Sequence, residues 1–184
     1  FPAMFSYKMK NYALLEENGT VILKGAALKS RGLEPFLRDF LRDWVTLTLR
    51  GRADDIPAMI ARRRDDLAAR RLPVAAFAKT EMLTDSPSTY LRKREAGGKS
   101  RQPAYEVAIA SGRLFQAGDA VSYYVTGAKK NVPVHAHAKL AAEFDPAARD
   151  ENVAYYLAKL DALAKKLDAR VPENPTTDDQ PTLF

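Results

Sequence analysis

Three polar side chains near the start of the chain have the spacing of a phosphate-binding row. Lys8, Lys10 and Tyr12 alternate along a run of strand-forming residues, and alternate residues of one strand point to the same face, about 7 Å apart. That separation is close to the distance between successive phosphates of a nucleic-acid strand, so two ammonium groups and a phenol can follow its backbone. The other interpretation is an exposed sheet edge, where lysines discourage further strand pairing.

The last residues of the chain form a second candidate binding site. From Val171 onward the segment is polar and contains proline, with three acidic residues and no basic one, and it ends in Leu183-Phe184. This composition predicts disorder until the last residues find a partner. Two large apolar side chains at the end of an acidic tail are typical of a peptide that docks into a groove, where a flexible tether supplies effective concentration.

Three other motifs are weak candidates for metal binding, nucleotide binding or another specific site. His135 and His137 would share one face if their segment were extended, but the chain has no Cys and no third His to complete a metal site. Residues 97–100, Gly-Gly-Lys-Ser, echo the end of a phosphate-binding P-loop but lack its earlier glycine and its preceding buried strand. We expect a mobile basic loop there. The arginines at 62–64 adjoin two aspartates, which predicts a solvated helix face.

The composition is that of a globular protein with an uneven charge distribution. The chain has 184 residues, 46% of them hydrophobic and 28% charged, and a net charge of +6. Residues 1–114 hold 21 Lys and Arg against 13 Asp and Glu, a balance of +8, whereas residues 115–184 hold 8 against 10, a balance of −2. The basic part is therefore the expected contact surface for a polyanion.

Several classes of protein are excluded. The lack of cysteine rules out disulfides, iron–sulfur sites and thiolate zinc sites, and it is typical of a reducing cytoplasm. No apolar run approaches the roughly 18 residues of a membrane span, so no membrane partner is expected. The first residues also lack the layout of a signal peptide. Because the chain starts with Phe1 rather than Met, we expect it to be part of a longer polypeptide.

The pattern of apolar residues predicts the first elements clearly. Strand-like runs at 5–15 and 20–25 flank Asn18-Gly19, a pair that suits the tight turn of a β-hairpin. Apolar residues then recur every three or four positions from Leu33, which predicts a long amphipathic helix ending near Gly51. Glu34 is expected on the polar side of that helix, whereas Trp44 lies on its apolar side and is expected in the core.

The rest of the chain is expected to be mainly helical, with short strands. The predicted elements are a helix from Asp54 that ends at Pro73, an extended segment over 74–83, a short helix containing Tyr90, a helix from Pro103 to Gly112, a strand over 121–125, an irregular stretch over 132–145 and a final helix over 153–167. Asp150 or Asn152 is expected to cap the final helix.

The Lys-x-Tyr run is part of a wider resemblance. Residues 7–14, Tyr-Lys-Met-Lys-Asn-Tyr-Ala-Leu, resemble the Lys-x-Tyr motif of family B DNA polymerases, a palm hairpin that lies against the minor groove of the primer–template duplex. On this match Lys10 and Tyr12 are the family's Lys and Tyr. Further segments follow in the family's order: Ser30-Arg31 before a long helix, Leu83-Thr84 with Tyr90, Gly118-Asp119 with the strand 123–125 and Gly127, and residues 143–146 with 155–157. Two places depart from the family pattern: Gly32-Leu33 replaces Asp-Trp, and Thr126 replaces a Lys.

The resemblance spans about residues 5–167 and implies an α+β fold. Residues 1–32 would be the end of the palm, a β-hairpin, residues 33–170 a mainly α-helical thumb domain with a few short strands, and residues 171–184 a flexible tail. The chain would hold double-stranded primer–template DNA through contacts that do not read sequence. The residues expected to contact DNA are Lys8, Lys10, Tyr12, Arg31, Thr84, Lys93, Lys99 and Arg101.

No catalytic residue and no metal site are expected in this chain. Family B polymerases hold paired Mg²⁺ with aspartates from Asp-x-x-Ser-Leu-Tyr-Pro and Tyr-x-Asp-Thr-Asp motifs, and neither motif occurs here. In the family both precede the Lys-x-Tyr hairpin. The parent enzyme would therefore use Mg²⁺ as a nucleotidyltransferase in DNA replication or DNA repair, whereas this chain would be inactive alone. A third interpretation, that the chain is a nuclease or nucleotidyltransferase in its own right, is not favoured because the sequence offers no plausible cluster of carboxylates.

The end of the chain carries a second resemblance. Residues 180–184, Gln-Pro-Thr-Leu-Phe, resemble the Gln-x-x-Leu-Phe peptide with which bacterial polymerases bind the sliding clamp. The resemblance assigns hydrogen bonding to Gln180 and an apolar pocket to Leu183 and Phe184, and it indicates a bacterial enzyme. The cytoplasmic location is expected from the lack of cysteine. The alternative is a standalone clamp-interacting module that uses its basic half to bind another protein.

Overall fold

The computed structural model describes residues 3–8, 11–25, 32–98 and 100–168. Lys10, Arg31, Lys99 and the tail from residue 169 lie outside these ranges, so the predictions made for them, including the clamp peptide, fall outside the described residues. For Lys8 the structure describes the backbone only.

A three-stranded antiparallel sheet opens the fold. Its strands are β1 (Ala3–Lys8), β2 (Asn11–Leu15) and β3 (Val21–Lys24), in that order across the sheet. The predicted hairpin around Asn18-Gly19 is confirmed, because β2 pairs with β3 and Gly19 has a φ of +84°. Only a residue tolerant of positive φ suits that turn.

The prediction of a single strand over 5–15 is wrong. Lys8 is the register partner of Asn11, so the chain on the two sides of residues 9–10 forms two paired strands. The physical reason is that a second ladder satisfies the backbone groups of β1, which a lone long edge strand would leave unpaired. Lys8 and Tyr12 therefore lie on neighbouring strands and do not form one row along a single strand.

Seven helices and a second sheet complete the described part of the chain. The helices are α1 (Pro35–Leu49), α2 (Ile56–Ala68), α3 (Val74–Phe77), α4 (Pro87–Glu95), α5 (Pro103–Ala110), α6 (Val134–His137) and α7 (Val153–Asp168). The second sheet is antiparallel with the order β4 (Lys79–Met82), β5 (Ala120–Val125), β6 (Ala138–Leu140). This arrangement confirms the predicted α+β class. Among the described residues, no helix is long and apolar enough to span a membrane.

The long helices match the sequence expectations. The apolar stripe of α1, including Phe40 and Trp44, is buried, and Pro35 occupies its first turn, where a missing N–H does no harm. Asn152 caps α7 by accepting a hydrogen bond from the Tyr155 backbone N–H at 3.0 Å. Glu34 differs from expectation: it is only 3% exposed, and its carboxylate accepts a hydrogen bond from Lys159 Nζ at 2.7 Å.

Two stretches were misjudged because their elements are too short for a period to show. Residues 74–83, predicted as extended, contain the single turn α3 before β4. Residues 132–145, predicted as irregular, contain α6, the three-residue strand β6 and a 3₁₀ turn at Ala141–Glu143. Pairing with β5 stabilises β6, so this strand depends on tertiary contacts rather than on local preference.

The apolar residues form two cores that share β5. The larger core combines α1, α2 and α7 with Phe77 and Tyr124, whereas the smaller one combines α4 and α5 with Val121 and Tyr123. Neighbouring residues of a strand point to opposite faces, so Tyr123 and Tyr124 enter different cores. The first sheet packs on the larger core through the fully buried Ala13.

Substitution of Phe77 tests the packing of the larger core. Its ring centroid lies 6.0 Å from that of Tyr124, 5.6 Å from that of Phe144 and 5.4 Å from that of Tyr156. Truncation in Phe77→Ala removes these contacts and leaves a cavity, so we expect the free energy of unfolding to fall by about 3–5 kcal/mol in urea titrations. Leu114→Ala is the control, because Leu114 is 98% exposed. Equal stability of the two variants would contradict this packing.

Candidate nucleic-acid interface

The outward face of the first sheet pairs a phenol with a lysine. Tyr12 on β2 and Lys24 on β3 are register partners, so their side chains lie side by side on one face. Tyr12 is 37% exposed and Lys24 is exposed, whereas the next residue, Ala13, is buried on the opposite face. Sequence reasoning missed Lys24, although the register set by the Asn18-Gly19 turn would have revealed it.

The turn that contains Thr84 is held rigidly. The Tyr105 hydroxyl accepts hydrogen bonds from the backbone N–H of Thr84 at 3.1 Å and from that of Asp85 at 2.9 Å. Ser86 then caps α4, because its hydroxyl oxygen accepts a hydrogen bond from the Thr89 N–H at 3.2 Å. One side chain of α5 thus fixes the backbone at the start of α4, and the exposed Thr84 is presented to solvent at a defined place.

Tyr90, six residues after Thr84, is a positioning residue. It is fully buried, and its ring stacks on that of Tyr105 with centroids 4.3 Å apart. Its hydroxyl donates to Glu106 Oε1 at 2.7 Å and accepts from the Gln102 N–H at 2.9 Å. The Thr-to-Tyr spacing noted in the sequence therefore joins an exposed residue to the buried side chain that helps to orient it.

Carboxylates hold the basic side chains around this turn. Lys93 lies 2.9 Å from an oxygen of Asp85, and Glu106 pairs with Arg94 at 2.5 Å and Arg101 at 3.6 Å. The segment from Thr84 to Arg101 has five basic residues against two acidic ones. The surface is therefore positive, with several of its cations already oriented.

The charge of Glu106 is central to that arrangement. Burial alone would raise the pKa of this carboxyl group, but hydrogen bonds from Arg94 and Tyr90 outweigh burial and hold the pKa below its ordinary value. The same contact raises the pKa of Arg94, chiefly through its hydrogen bond to Glu106. Glu106 is thus an anion at neutral pH and anchors both neighbouring arginines.

A second basic loop follows β5. Lys129 and Lys130 are exposed and form no ion pair with any residue that the structure describes. Asn152 holds this loop, because its side-chain amide donates to the carbonyl oxygens of Thr126 at 3.1 Å and Lys129 at 2.9 Å. At Gly127, with a φ of +103°, a Cβ atom would come within 3.3 Å of that amide. Sequence reasoning singled out Gly127 but missed the two lysines after it.

The other sequence candidates have structural roles. Arg63 pairs with Asp43 of α1 and Arg64 with Asp161 of α7, so the arginine run ties α2 to its neighbours and is not simply a solvated face. Over the described ranges, no group of three His, Cys, Asp or Glu side chains is placed to hold a metal ion. Trp44 is fully buried, as expected.

The predicted contact residues fall into two groups on different cores. Thr84, Lys93 and Arg101 come together around α4 and α5 on the smaller core, whereas Tyr12 belongs to the sheet on the larger core. The structure therefore brings three of the predicted residues together and keeps Tyr12 apart from them.

Comparisons with known proteins bear on the fold. No protein-family model matches the chain, and no curated protein sequence matches it. The chain is similar in structure to the family B DNA polymerase of the hyperthermophilic archaeon Pyrobaculum calidifontis, with a TM-score of 0.71 and 17% sequence identity over 91% of this chain and 21% of that one. An identity this low shows a shared fold. The chain has the fold of about one fifth of that polymerase.

The pH dependence of stability tests the role of Glu106 beside the turn that contains Thr84. Because the folded-state pKa is lowered, the ionised carboxylate stabilises the fold above its unfolded pKa of about 4.3, and this stabilisation is lost as the pH falls through the lower folded value. We expect Glu106→Gln to lower the free energy of unfolding by about 1–2 kcal/mol at neutral pH. The deficit should shrink as the pH drops below about 4, as measured by urea unfolding. The exposed Glu95→Gln is the control, and an identical pH profile in both variants would contradict this role.

Proposed function

We propose that this chain is the end of the palm and the thumb of a family B DNA polymerase, and that it grips the primer–template duplex during DNA synthesis. The observation that carries the proposal is the structural match over 91% of the chain to a polymerase of that family. The Lys-x-Tyr run and the ordered thumb-like segments of the sequence support it. On this proposal residues 1–32 belong to the palm and 33–170 to the thumb.

The chemistry of the exposed surfaces suits a grip that does not read bases. Tyr12 with Lys24 and Thr84 with Lys93 each combine a hydroxyl with a cation, the groups that bind phosphate and sugar oxygens. Lys8, Lys10, Arg31, Lys99 and Arg101 are assigned the same role from their places in the sequence. Such contacts set the position of the duplex and depend on salt through counterion release.

The described residues do not fit a polymerase metal site, since they supply no cluster of carboxylates for a pair of Mg²⁺ ions. We therefore assign no step of nucleotide transfer to this chain. Its contribution is to hold the duplex in register while metal-binding aspartates of the palm act on the primer end.

We further propose that Gln180, Leu183 and Phe184 bind a bacterial sliding clamp. Two large apolar side chains separated from α7 by an acidic linker can enter a groove on a partner while the thumb stays on DNA. The gain is one of effective concentration, because the tether keeps the polymerase beside a clamp that encircles the same duplex.

Substitutions of Lys93 and of Asp85 are expected to change the affinity for DNA in opposite directions. Lys93→Ala removes a cation, so we expect the Kd for duplex DNA to rise severalfold and the slope of log K against log salt to fall by about one. Asp85→Asn releases Lys93 from its ion pair at 2.9 Å, so we expect tighter binding. Fluorescence anisotropy with two labelled duplexes of unrelated sequence measures both effects.

Lys166→Ala is the control for this pair, because Lys166 is an exposed cation in the last turn of α7. A Kd that stays constant from low salt to several hundred millimolar would contradict the DNA grip. If clamp binding persisted in that case, the alternative of a standalone clamp-interacting module would be favoured.

The clamp proposal is tested by calorimetric titration of a bacterial sliding clamp with the full chain. We expect Leu183→Ala/Phe184→Ala to weaken binding at least tenfold, because apolar anchors carry most of the affinity of such peptides. Thr177→Ala, in the same tail, should bind like the unaltered chain. Equal affinity of all three proteins would rule out docking through residues 180–184.

A further inference from the structure

An apolar groove at the end of α7 is not used by the interface described above. It has a volume of about 420 Å³ and lies between α1 and α2. It is lined by Trp44, Thr48, Ala53, Ile56, Pro57 and Ile60. Asp168, the last described residue of α7, forms its edge. A groove of this size accommodates the side chains of a short peptide.

The lining of the groove is suited to an apolar ligand. Trp44 and Ile56 form its buried floor, and Ile60 is half-buried beside them. Among the described lining residues, Thr48 has the one hydroxyl, which already donates to the carbonyl oxygen of Trp44 at 2.9 Å. Asp168 is the only charged residue in that same set. Burying apolar side chains here gains about 25 cal/mol per Å² of apolar surface removed from water.

The next segment of the same chain has suitable side chains and the right length. Asp168 lies at the edge of the groove, and residues 169–184 follow it in the sequence, with Leu183 and Phe184 as their two largest apolar side chains. Fifteen residues lead from Asp168 to Leu183. A segment of that length is long enough to turn and bring its last residues back to its own starting point. Such a tether supplies an effective concentration in the millimolar range.

The charges of the tail and of the helix beside the groove also favour contact between them. Asp178 and Asp179 precede the apolar pair by a few residues. Lys165 is an exposed cation one turn before Asp168, whereas Arg52 at the rim is already paired with Asp55 at 2.7 Å. Attraction to Lys165 therefore favours the approach of the part of the tail that flanks Leu183 and Phe184.

We propose that Leu183 and Phe184 pack into the groove between α1 and α2, against Trp44 and Ile60, whenever no other partner holds them. The groove is a docking surface for the chain's own C-terminal peptide. This inference does not depend on clamp binding. If the clamp also binds these side chains, the groove and the clamp compete for them, and the free peptide is masked until a clamp is present.

The first test compares amide NMR spectra of the full chain and of Leu183→Ser/Phe184→Ser. We expect shift changes in the body of the protein to concentrate at Ala53, Ile56, Ile60 and the indole of Trp44, the only tryptophan. Val171→Ser and Thr177→Ser are matched controls in the same tail and should leave these signals in place. Unchanged groove signals in the double variant would overturn the proposal, as would groove changes caused by Val171→Ser alone.

The second test supplies the peptide in trans. A synthetic peptide of residues 174–184 should bind the double variant saturably and shift the same groove signals, whereas the unaltered chain should bind it at least fivefold more weakly, because its own tail competes. Ile60→Lys in the double variant should abolish peptide binding, with Leu114→Lys as the control and circular dichroism as the check on folding. Equal peptide affinity of the unaltered chain and the double variant, or no peptide binding to either, would overturn the proposal.

Discussion

The hydrogen bonds at the end of β5 join the two cores. The buried hydroxyl of Tyr156 accepts a hydrogen bond from the Val125 N–H at 2.9 Å, and the Asn152 N–H donates to the Val125 carbonyl at 2.8 Å. Burial raises the pKa of Tyr156 so that the phenol stays neutral in this apolar setting. α7 is thereby locked to the strand that both cores share. This junction therefore helps to fix α7, and the larger core around it, relative to the strand that carries the smaller core.

A buried ion pair fixes the start of α1 in the same way. Glu34 lies just before α1, and Lys159 on α7 donates to it at 2.7 Å while also lying 5.3 Å from the ring centroid of Tyr155. Burial alone would lower the pKa of Lys159, but the neighbouring Glu34 outweighs it and raises the pKa. Removing Lys159 would leave the Glu34 carboxylate buried without its partner, whereas Lys159 itself is 31% exposed. This pair therefore specifies where α1 begins relative to α7, directly after the junction between the first sheet and the helices.

The sequence revealed elements with strong local signals and missed those that depend on partners. The Asn18-Gly19 turn and the apolar stripe of α1 encode their structures locally. β6 has three residues and exists through pairing with β5, so no period could show it. In the candidate interface, the charged character of the α4 turn was predictable, but Lys24 needed the register of β2 with β3. The ion pairs of Arg63 and Arg64 needed the packing of three helices.

The pairing of cations with carboxylates at the α4 turn has a physical consequence for a DNA grip. Asp85 orients Lys93, and Glu106 orients Arg94 and Arg101 before any ligand arrives, so less side-chain entropy is lost on contact with phosphate. The same carboxylates compete with phosphate and weaken each contact. On the proposed function, the chain must let the duplex advance by one base pair per addition, which requires many contacts that are each weak. Partly neutralised cations on a rigid turn provide that balance more directly than unpaired lysines on a loose loop.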